Sequence, residues 1–247
     1  MIEVERIENI SLIRLNRPKV NAIDDNMLDL LCESLVNAEQ DKETNTILIT
    51  GTGSFFSFGL DLPTFLEFKR EDLKNSIYKL LDLCRSIYLS KKITVASING
   101  HATGGGCMIA LSCDFKHMTD SKAKIALNEI NIGLSLFSST IVMLRESIGI
   151  NNSKKLLLTG DLINPQEALD IGLINNLYSR NELYEKSLDF SRTFKSKNKE
   201  IIKIMKQEIL GVTKEGLTDS EESIDDFLDI FYSEPTQEIL KTVQIRK

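Results

Sequence analysis

A run of three glycines, Gly104 to Gly106, marks a turn whose backbone could take part in chemistry. It follows an apolar strand that ends at Ile98, and it opens an apolar helical segment, Cys107 to Leu111. Glycine has no Cβ, so the backbone of such a turn can approach a ligand closely. The first N–H groups of a helix lack intrahelical partners and can hold a developing negative charge. The run therefore predicts an anion-stabilising backbone at this turn.

A second glycine turn, Phe58-Gly59-Leu60-Asp61, lies upstream of the first. Backbone N–H groups near Leu60 and Gly105 could both donate to one carbonyl oxygen, which would make an oxyanion hole. Loss of one such donor typically costs about 3 kcal/mol of transition-state stabilisation. Each turn can equally be a tight connection between two elements, and composition alone leaves that alternative open.

A lone carboxylate, Glu129, lies among apolar residues in the stretch IALNEINIGL. Burial among apolar groups raises the pKa of a carboxyl group and suits it to proton transfer. The alternative is an exposed glutamate at the end of a strand. Nucleotide and serine chemistry are not indicated, because GGG is not GxGxxG, no P-loop lysine follows, and no GxSxG elbow accompanies His101.

Length and composition limit the classes of function. The 247 residues suffice for one large domain or one domain with an appendage, and 42% hydrophobic residues argue against disorder. A net charge of −6 disfavours a nucleic-acid partner. The four cysteines form no CxxC pair and there are only two histidines, so we predict no metal site.

No stretch of the sequence has the pattern of a membrane span or of a signal peptide. The most apolar stretch, residues 93–111, is interrupted by polar residues and glycines, and the chain starts directly in strand-like sequence. We therefore expect a cytoplasmic protein without a membrane partner.

The order of predicted elements indicates an α/β fold with parallel strand pairing. The predicted strands cover residues 2–4 and 11–15, which form an opening hairpin, and then 47–49, 94–98, 114–118 and 124–126. Long helices are predicted over 26–40, capped by Asp24 or Asp25, and over 72–89. From about residue 181 the strand signals stop, and helical patterns follow over 183–194, 201–210 and 217–232. We therefore divide the chain into a core, residues 1–180, and a C-terminal α-helical region for oligomerisation, residues 181–247.

Four motifs in this order resemble the enoyl-CoA hydratase/isomerase family, the crotonase superfamily. They are SFFSFGLDL, INGHATGGGCMIALSCDF, IALNEINIGL and GDLINPQEALDIGLINNL. The resemblance covers residues 2–180 and implies a crotonase-like spiral of ββα turns with a C-terminal helical region. It also implies a homotrimer or a dimer of trimers.

The resemblance further implies an acyl-CoA substrate whose thioester carbonyl accepts hydrogen bonds from the N–H groups of Leu60 and Gly105. No separate cofactor is implied, because CoA is part of the substrate. The phosphates of CoA are expected to meet basic residues, with Lys19, Lys241 and Arg246 as candidates. The predicted catalytic residue is Glu129, and the predicted substrate-binding residues are Ala22, Asp61, Leu62, Met108 and Phe137.

The reaction is predicted from the positions at which the sequence departs from the family pattern. Hydratases of this family carry two glutamates, and the corresponding positions here hold Met108 and Glu129. A single carboxylate can remove a proton from C2 and return it at C4, which shifts a double bond. The motif LNE, with Gly133 four residues after its glutamate, most resembles the Δ3,Δ2-enoyl-CoA isomerases.

We therefore predict an isomerase that converts 3-enoyl-CoA to 2-trans-enoyl-CoA. The alternatives are a hydratase, a decarboxylase or a thioester hydrolase with the same oxyanion hole, and a non-catalytic acyl-CoA-binding protein. The last is favoured by Met108 and by Phe58, which stands where the family usually has a small residue. The segment Ser135 to Ser139 lacks the Pro and Gly common in hydratases and could line the acyl pocket.

Overall fold

The chain begins with an antiparallel hairpin that forms one edge of the main sheet. In the computed structural model, which describes residues 1–211 and 213–243, strand β1 (Ile2–Ile7) pairs with β2 (Ile10–Leu15). Ile2 lies opposite Leu15, and Ile7 lies opposite Ile10. The predicted hairpin is confirmed, with both strands longer than predicted.

The strands after the hairpin are β3 (Ala22–Ile23), β4 (Thr46–Gly51), β5 (Phe55–Ser57), β6 (Gly59–Leu60), β7 (Ile93–Ile98), β8 (His101–Thr103), β9 (Phe115–Asp120), β10 (Ile125–Ala126) and β11 (Asn176–Ser179). Four of them extend the hairpin by parallel pairing into a six-stranded sheet with the order β1-β2-β4-β7-β9-β11. Every residue of β4 and β7 is buried, as is typical of parallel strands covered on both faces.

Helices alternate with groups of strands along the chain. They are α1 (Asp25–Gln40), α2 (Leu62–Phe65), α3 (Arg70–Tyr88), α4 (Gly105–Leu111), α5 (Ser138–Thr159), α6 (Pro165–Asp170), α7 (Leu183–Arg192), α8 (Lys199–Ile209), α9 (Glu221–Phe231) and α10 (Glu234–Thr242). Helices α1 and α3 lie close to their predicted bounds. The Asp24 carboxylate caps α1, since it accepts a hydrogen bond from the N–H of Met27 at 2.8 Å.

Two small parallel sheets bring the two glycine turns together. In one, β5, β8 and β10 lie side by side; in the other, β6 pairs with β3. Because β5 and β8 run parallel, the chain that leaves β5 at Ser57 and the chain that leaves β8 at Thr103 emerge at the same edge. These exits are the segments that contain Gly59 and Gly104.

Some elements differ from the sequence-based expectation. Helix α5 was not predicted, because its apolar residues do not form a single stripe and Gly149, with φ of +72°, interrupts its helical geometry. The predicted helix over 217–232 is shorter. It begins as α9 at Glu221, where the hydroxyl of Ser220 accepts a hydrogen bond from the N–H of Ser223. A separate 3₁₀ turn covers Lys214–Leu217.

The C-terminal helices pack on the core. Helix α7 lies on the six-stranded sheet, where Leu188 joins a buried cluster with Leu48 and Val95. Helix α9 lies beside α3, and α10 lies beside the turn that follows Asn128. The division of the chain at residue 180 stays a prediction. Among residues 1–211 and 213–243, no helix has the length and apolar character needed to cross a membrane.

Candidate active site

The N–H group of Leu60 points away from the strand that pairs with β6. The N–H of Asp61 donates to the carbonyl of Ile23 across the β3–β6 pair at 2.9 Å. Successive N–H groups along an extended strand point to opposite sides, so the N–H of Leu60 faces the other way. The preceding residue, Gly59, has φ of +96°, a conformation that side chains other than that of glycine rarely adopt.

The N–H group of Gly105 lies in the first turn of α4. Gly104 has φ of +53°, and its own N–H donates to the carbonyl of Ala126 at 3.0 Å. Its carbonyl accepts the first helical hydrogen bond, from the N–H of Met108 at 3.0 Å. Gly105 is therefore the first residue of the helix, and its N–H belongs to the group that has no intrahelical acceptor.

These two N–H groups lie side by side. A Cβ placed on Gly105 would be 3.7 Å from the nitrogen of Leu60, and a Cβ placed on Gly59 would be 3.0 Å from the nitrogen of Gly105. The two glycine turns that the sequence singled out are thus in direct contact. The arrangement can present two backbone donors to one oxygen atom.

Hydrogen bonds from neighbouring side chains fix the backbone at Phe58. The hydroxyl of Ser57 donates to the carbonyl of Asn21 at 2.7 Å and accepts from the N–H of Gly59 at 3.1 Å. The hydroxyl of Thr103 donates to the carbonyl of Phe58 at 2.8 Å. Phe58, where the family resemblance implies a small residue, lies in the wall of the adjacent cavity.

The Glu129 carboxylate is turned towards Gly104. Glu129 begins a 3₁₀ turn, Glu129–Ile132, which ends at Gly133 in the left-handed conformation. Its Oε1 atom would be 3.7 Å from a Cβ on Gly104, and its Oε2 atom is buried without a hydrogen-bond partner among the described residues. Burial raises the pKa of Glu129 from its usual value to about 7. The alternative of a solvated glutamate at the end of a strand is therefore wrong.

These groups face a cavity of about 270 Å³. Its wall includes Leu62, Met108 and Phe137, which were predicted to bind substrate, together with Leu60, Gly105 and Glu129. The rest of the wall is Phe58, Leu80, Thr103, Gly104, Asn128, Ile132, Leu134, Ser135, Leu136, Leu162, Phe227 and Val243. Among the described residues of this wall, Glu129 has the only titratable side chain. No cluster of His, Cys, Asp and Glu side chains suited to a metal ion occurs within the part of the chain that the structure describes.

Two predicted substrate-binding residues lie behind the cavity wall. Ala22 is buried in β3, directly opposite Gly59. The Asp61 carboxylate accepts a hydrogen bond from the guanidinium of Arg17 at 2.6 Å and one from the N–H of Thr64 at 3.4 Å. Both residues therefore support the Leu60 backbone from outside the cavity, and their contact with a substrate stays a prediction.

Two of the basic residues proposed for the CoA phosphates, Lys19 and Lys241, are not in the cavity wall. Lys19 is exposed in the loop before β3, and Lys241 is exposed on α10. Arg246 lies outside the described residues. Their contact with CoA stays a prediction.

The C-terminal helices contribute to this cavity, which the sequence patterns did not predict. Phe227 from α9 and Val243 after α10 both lie in the wall. The apolar stripe over residues 217–232 predicted that Phe227 is buried. Such a stripe shows which face of a helix is buried but not which part of the protein that face contacts. Ser135, Leu136 and Phe137 lie in the wall, as the segment from Ser135 to Ser139 was expected to.

Comparison with known proteins places these features in a family. The family model described as enoyl-CoA hydratase/isomerase matches residues 5–240. The chain is 31% identical over 201 residues to a mitochondrial enoyl-CoA hydratase of Pongo abelii, covering 81% of this chain and 68% of the relative. It is 29% identical over 189 residues to mitochondrial enoyl-CoA delta isomerase 1 of Mus musculus, covering 76% of this chain and 65% of the relative.

The solved structures show the fold. The crystal structure of human mitochondrial Δ3,Δ2-enoyl-CoA isomerase superposes with a TM-score of 0.91 at 23% identity, covering 97% of this chain and 95% of that chain. The predicted crotonase-like α/β fold with a C-terminal helical region is therefore confirmed. The curated relatives carry both hydratase and isomerase names, with hydratase names more frequent.

Proposed function

The chain belongs to the enoyl-CoA hydratase/isomerase family of crotonase-type acyl-CoA enzymes, and we propose that it converts 3-enoyl-CoA to 2-trans-enoyl-CoA. One observation carries the proposal: Glu129 is the only titratable side chain in the described wall of the cavity. It lies beside the paired N–H groups of Leu60 and Gly105. A double-bond shift needs one proton-transfer group and one stabilised oxyanion, and this arrangement supplies both.

The reaction proceeds in two proton transfers. The Glu129 carboxylate removes a proton from C2, which is acidified by the thioester carbonyl and by the neighbouring double bond. The electron pair moves into the carbonyl, and the oxygen of the resulting dienolate accepts hydrogen bonds from the N–H groups of Leu60 and Gly105. Glu129 then returns the proton at C4, the double bond forms between C2 and C3, and the carboxylate is regenerated.

The raised pKa of Glu129 suits this role. At a pKa of about 7 the group is a stronger base than an ordinary carboxylate, yet a large fraction of it is ionised near neutral pH. The cause is burial of Oε2 without a hydrogen-bond donor. Protonation and deprotonation of Glu129 are therefore similar in free energy near neutral pH. A group that first takes a proton and then returns it needs this property.

Hydration is disfavoured because it requires a second group beside the attacking water. The side chain of Met108, which stands where hydratases carry their other glutamate, is in the cavity wall and only 2% exposed. A thioether cannot accept a proton from water at neutral pH. The hydratase names among the relatives make this the rival reaction to test.

The experiment compares 3-hexenoyl-CoA with crotonyl-CoA as substrates and identifies the products by mass spectrometry and NMR. We expect isomerisation of the first and poor hydration of the second. Glu129→Gln should lower the isomerase kcat about 100- to 10,000-fold, since positioned proton transfer contributes that much. Glu185→Gln, at an exposed position on α7, is the matched control and should keep full activity. Efficient hydration by the wild type, with isomerase activity retained in Glu129→Gln, contradicts the proposal.

We also propose that the chain assembles as a homotrimer or a dimer of trimers. Support comes from α8, which exposes Ile201, Ile204, Met205 and Ile209 on one face, with Ile209 at 74% exposure. Light scattering at micromolar concentration should therefore give a trimer or a hexamer. Ile204→Lys should weaken the assembly, whereas Val36→Lys, at an exposed apolar position on α1, should not. A monomeric wild type contradicts this assembly.

A further inference from the structure

The C-terminal helix α9 places an aromatic ring in the wall of the substrate cavity. Phe227 of α9 packs on Phe137 with a distance of 4.8 Å between ring centroids, and both residues are at least 96% buried. Phe137 directly precedes α5 and lies in the same wall. The two rings join segments that are far apart in sequence, and neither carries a group that takes part in the proton transfers.

The cavity is apolar away from the reacting groups. Its polar side chains, Thr103, Asn128, Glu129 and Ser135, belong to the segments around Gly104 and the 3₁₀ turn. The other described side chains of the wall, Phe137 and Phe227 among them, are apolar. An acyl chain held at its carbonyl by Leu60 and Gly105 therefore extends along apolar surface. A polar or charged chain end would lose its water there without gaining a partner.

Several contacts hold α9 against the core and so fix the position of Phe227 in the cavity wall. Lys74 of α3 pairs with Asp225 at 2.9 Å, and Arg70 pairs with Asp229 at 2.7 Å. The hydroxyl of Tyr232, at the end of α9, donates to the carbonyl of Phe68 at 2.9 Å.

A further anchor connects the segment before α9 to the start of α5. The carboxylate of Asp219 accepts hydrogen bonds from both the N–H and the hydroxyl of Ser139, the former at 2.9 Å. Ser139 is two residues beyond Phe137, so this contact fixes the two ring-bearing segments relative to each other.

We propose that Phe227 is the specificity-determining residue that limits the length of the acyl chain, and that the substrates are unsubstituted aliphatic acyl-CoA thioesters. This inference assumes from the proposed function that the site binds an acyl-CoA thioester, but it does not assume that the reaction is an isomerisation. A chain that reaches the Phe137–Phe227 pair must displace a buried ring in a closely packed interior, and a longer chain therefore binds with a penalty.

The test measures binding of saturated acyl-CoA thioesters, from butanoyl- to dodecanoyl-CoA, by calorimetry. The affinity of the wild type for these thioesters should rise with the length of the acyl chain, reach a maximum and then fall. Phe227→Ala should move that maximum to longer chains and raise the affinity ratio of long to short thioesters about 10-fold or more. Phe227→Leu keeps more of the packing and should move the maximum less far in the same direction.

The matched control is Phe231→Ala. Phe231 lies on the same helix, is 1% exposed and is not in the cavity wall, so its truncation should destabilise the fold without moving the maximum. Adipoyl-CoA, which ends in a carboxylate, should bind the wild type at least about 10-fold more weakly than hexanoyl-CoA.

Failure of this inference can be distinguished from failure of the proposed function. An unchanged chain-length maximum in both Phe227 variants, or an equal shift in Phe231→Ala, overturns the role of Phe227. Binding of adipoyl-CoA as tight as that of hexanoyl-CoA overturns the aliphatic substrate class. A maximum that moves with Phe227 in a protein without isomerase activity supports the inference and rejects only the reaction. A protein that binds none of the thioesters overturns both.

Discussion

The backbone at Gly59 and the backbone at Gly105 are packed so closely that no side chain fits between them. A Cβ on Gly59 would lie 2.7 Å from the carbonyl oxygen of Thr103 and 3.0 Å from the nitrogen of Gly105. The first distance is shorter than any ordinary contact, so even a methyl group would push the two turns apart. The relative position of the two backbone donors therefore depends on glycine at position 59.

Gly59→Ala should lower the isomerase kcat about 100-fold or more, because displacement of one oxyanion donor costs roughly 3 kcal/mol. The matched control is Gly53→Ala. Gly53 also has positive φ, at +70°, but a Cβ there meets nothing within 4 Å. Both variants should lose stability from backbone strain, and Gly59→Ala should lose more, because its Cβ also meets the carbonyl oxygen of Thr103. Thermal unfolding measures both losses, and the kcat of the folded fraction is compared. Equal activity of the two variants would show that the Leu60 and Gly105 donors do not matter to the reaction.

The glycine turns and Glu129 could be found from the sequence because their signals are local. A run such as Gly104 to Gly106 restricts its own backbone, and an apolar neighbourhood indicates burial of the carboxylate that it contains. Helix α1 was predicted for the same reason, since Asp24 and the apolar stripe that follows it lie within one stretch of chain.

The rest depends on contacts between distant segments. The contribution of Phe227 to the cavity depends on the contact of α9 with Phe137 and α3, and no pattern within α9 encodes those partners. The place of Asp61 behind the wall depends on its ion pair with Arg17. Helix α5 could not be predicted, because its residues are apolar on several faces and Gly149 interrupts the period.

The isomerase rate should depend on pH through Glu129. The group must be ionised to remove the C2 proton, and burial raises its pKa to about 7. The value of kcat/KM should therefore fall about tenfold per pH unit below the pKa and level off above it. The measurement is the initial rate with 3-hexenoyl-CoA from about pH 5 to pH 9. A flat profile across this range would mean that the base has an ordinary carboxyl pKa or is another group.

The same pKa predicts how Glu129 affects the stability of the fold. The pKa is raised on folding, so between about pH 4.5 and pH 7 the unfolded chain has lost the proton that the folded chain still holds. Stability therefore falls as pH rises through this window and stays at the lower level above it. Glu129→Gln has no carboxyl group to ionise, so its free energy of unfolding should not fall in this way. The difference in unfolding free energy between the variant and the wild type should therefore shift in favour of the variant by at most about 3 kcal/mol from the low-pH end of the window to the high-pH end.

Urea unfolding at about pH 4 and about pH 8 measures this difference. Glu185→Gln is again the control, because Glu185 is exposed and should leave the pH dependence of the wild type unchanged. If the stability difference between Glu129→Gln and the wild type were the same at both pH values, folding would not raise the pKa of Glu129.

The residue at position 108 should determine the ratio of hydratase to isomerase activity at this site. Met108 lies in the same cavity wall as Glu129, and the family resemblance places the second glutamate of hydratases at this position. Met108→Glu supplies the second carboxylate that a bound water needs, so hydration of crotonyl-CoA should rise relative to isomerisation of 3-hexenoyl-CoA. The variant should also be less stable, since a buried carboxylate without a partner is costly.

Met108→Gln is the matched control for this change. It has nearly the same size and polarity as the glutamate but cannot accept a proton from water, so it should not gain hydratase activity. The ratio of the two activities, measured with both thioesters, corrects for any loss of folded protein. If Met108→Glu remained folded without gaining hydration over Met108→Gln, the absence of a second carboxylate would not be what sets the reaction.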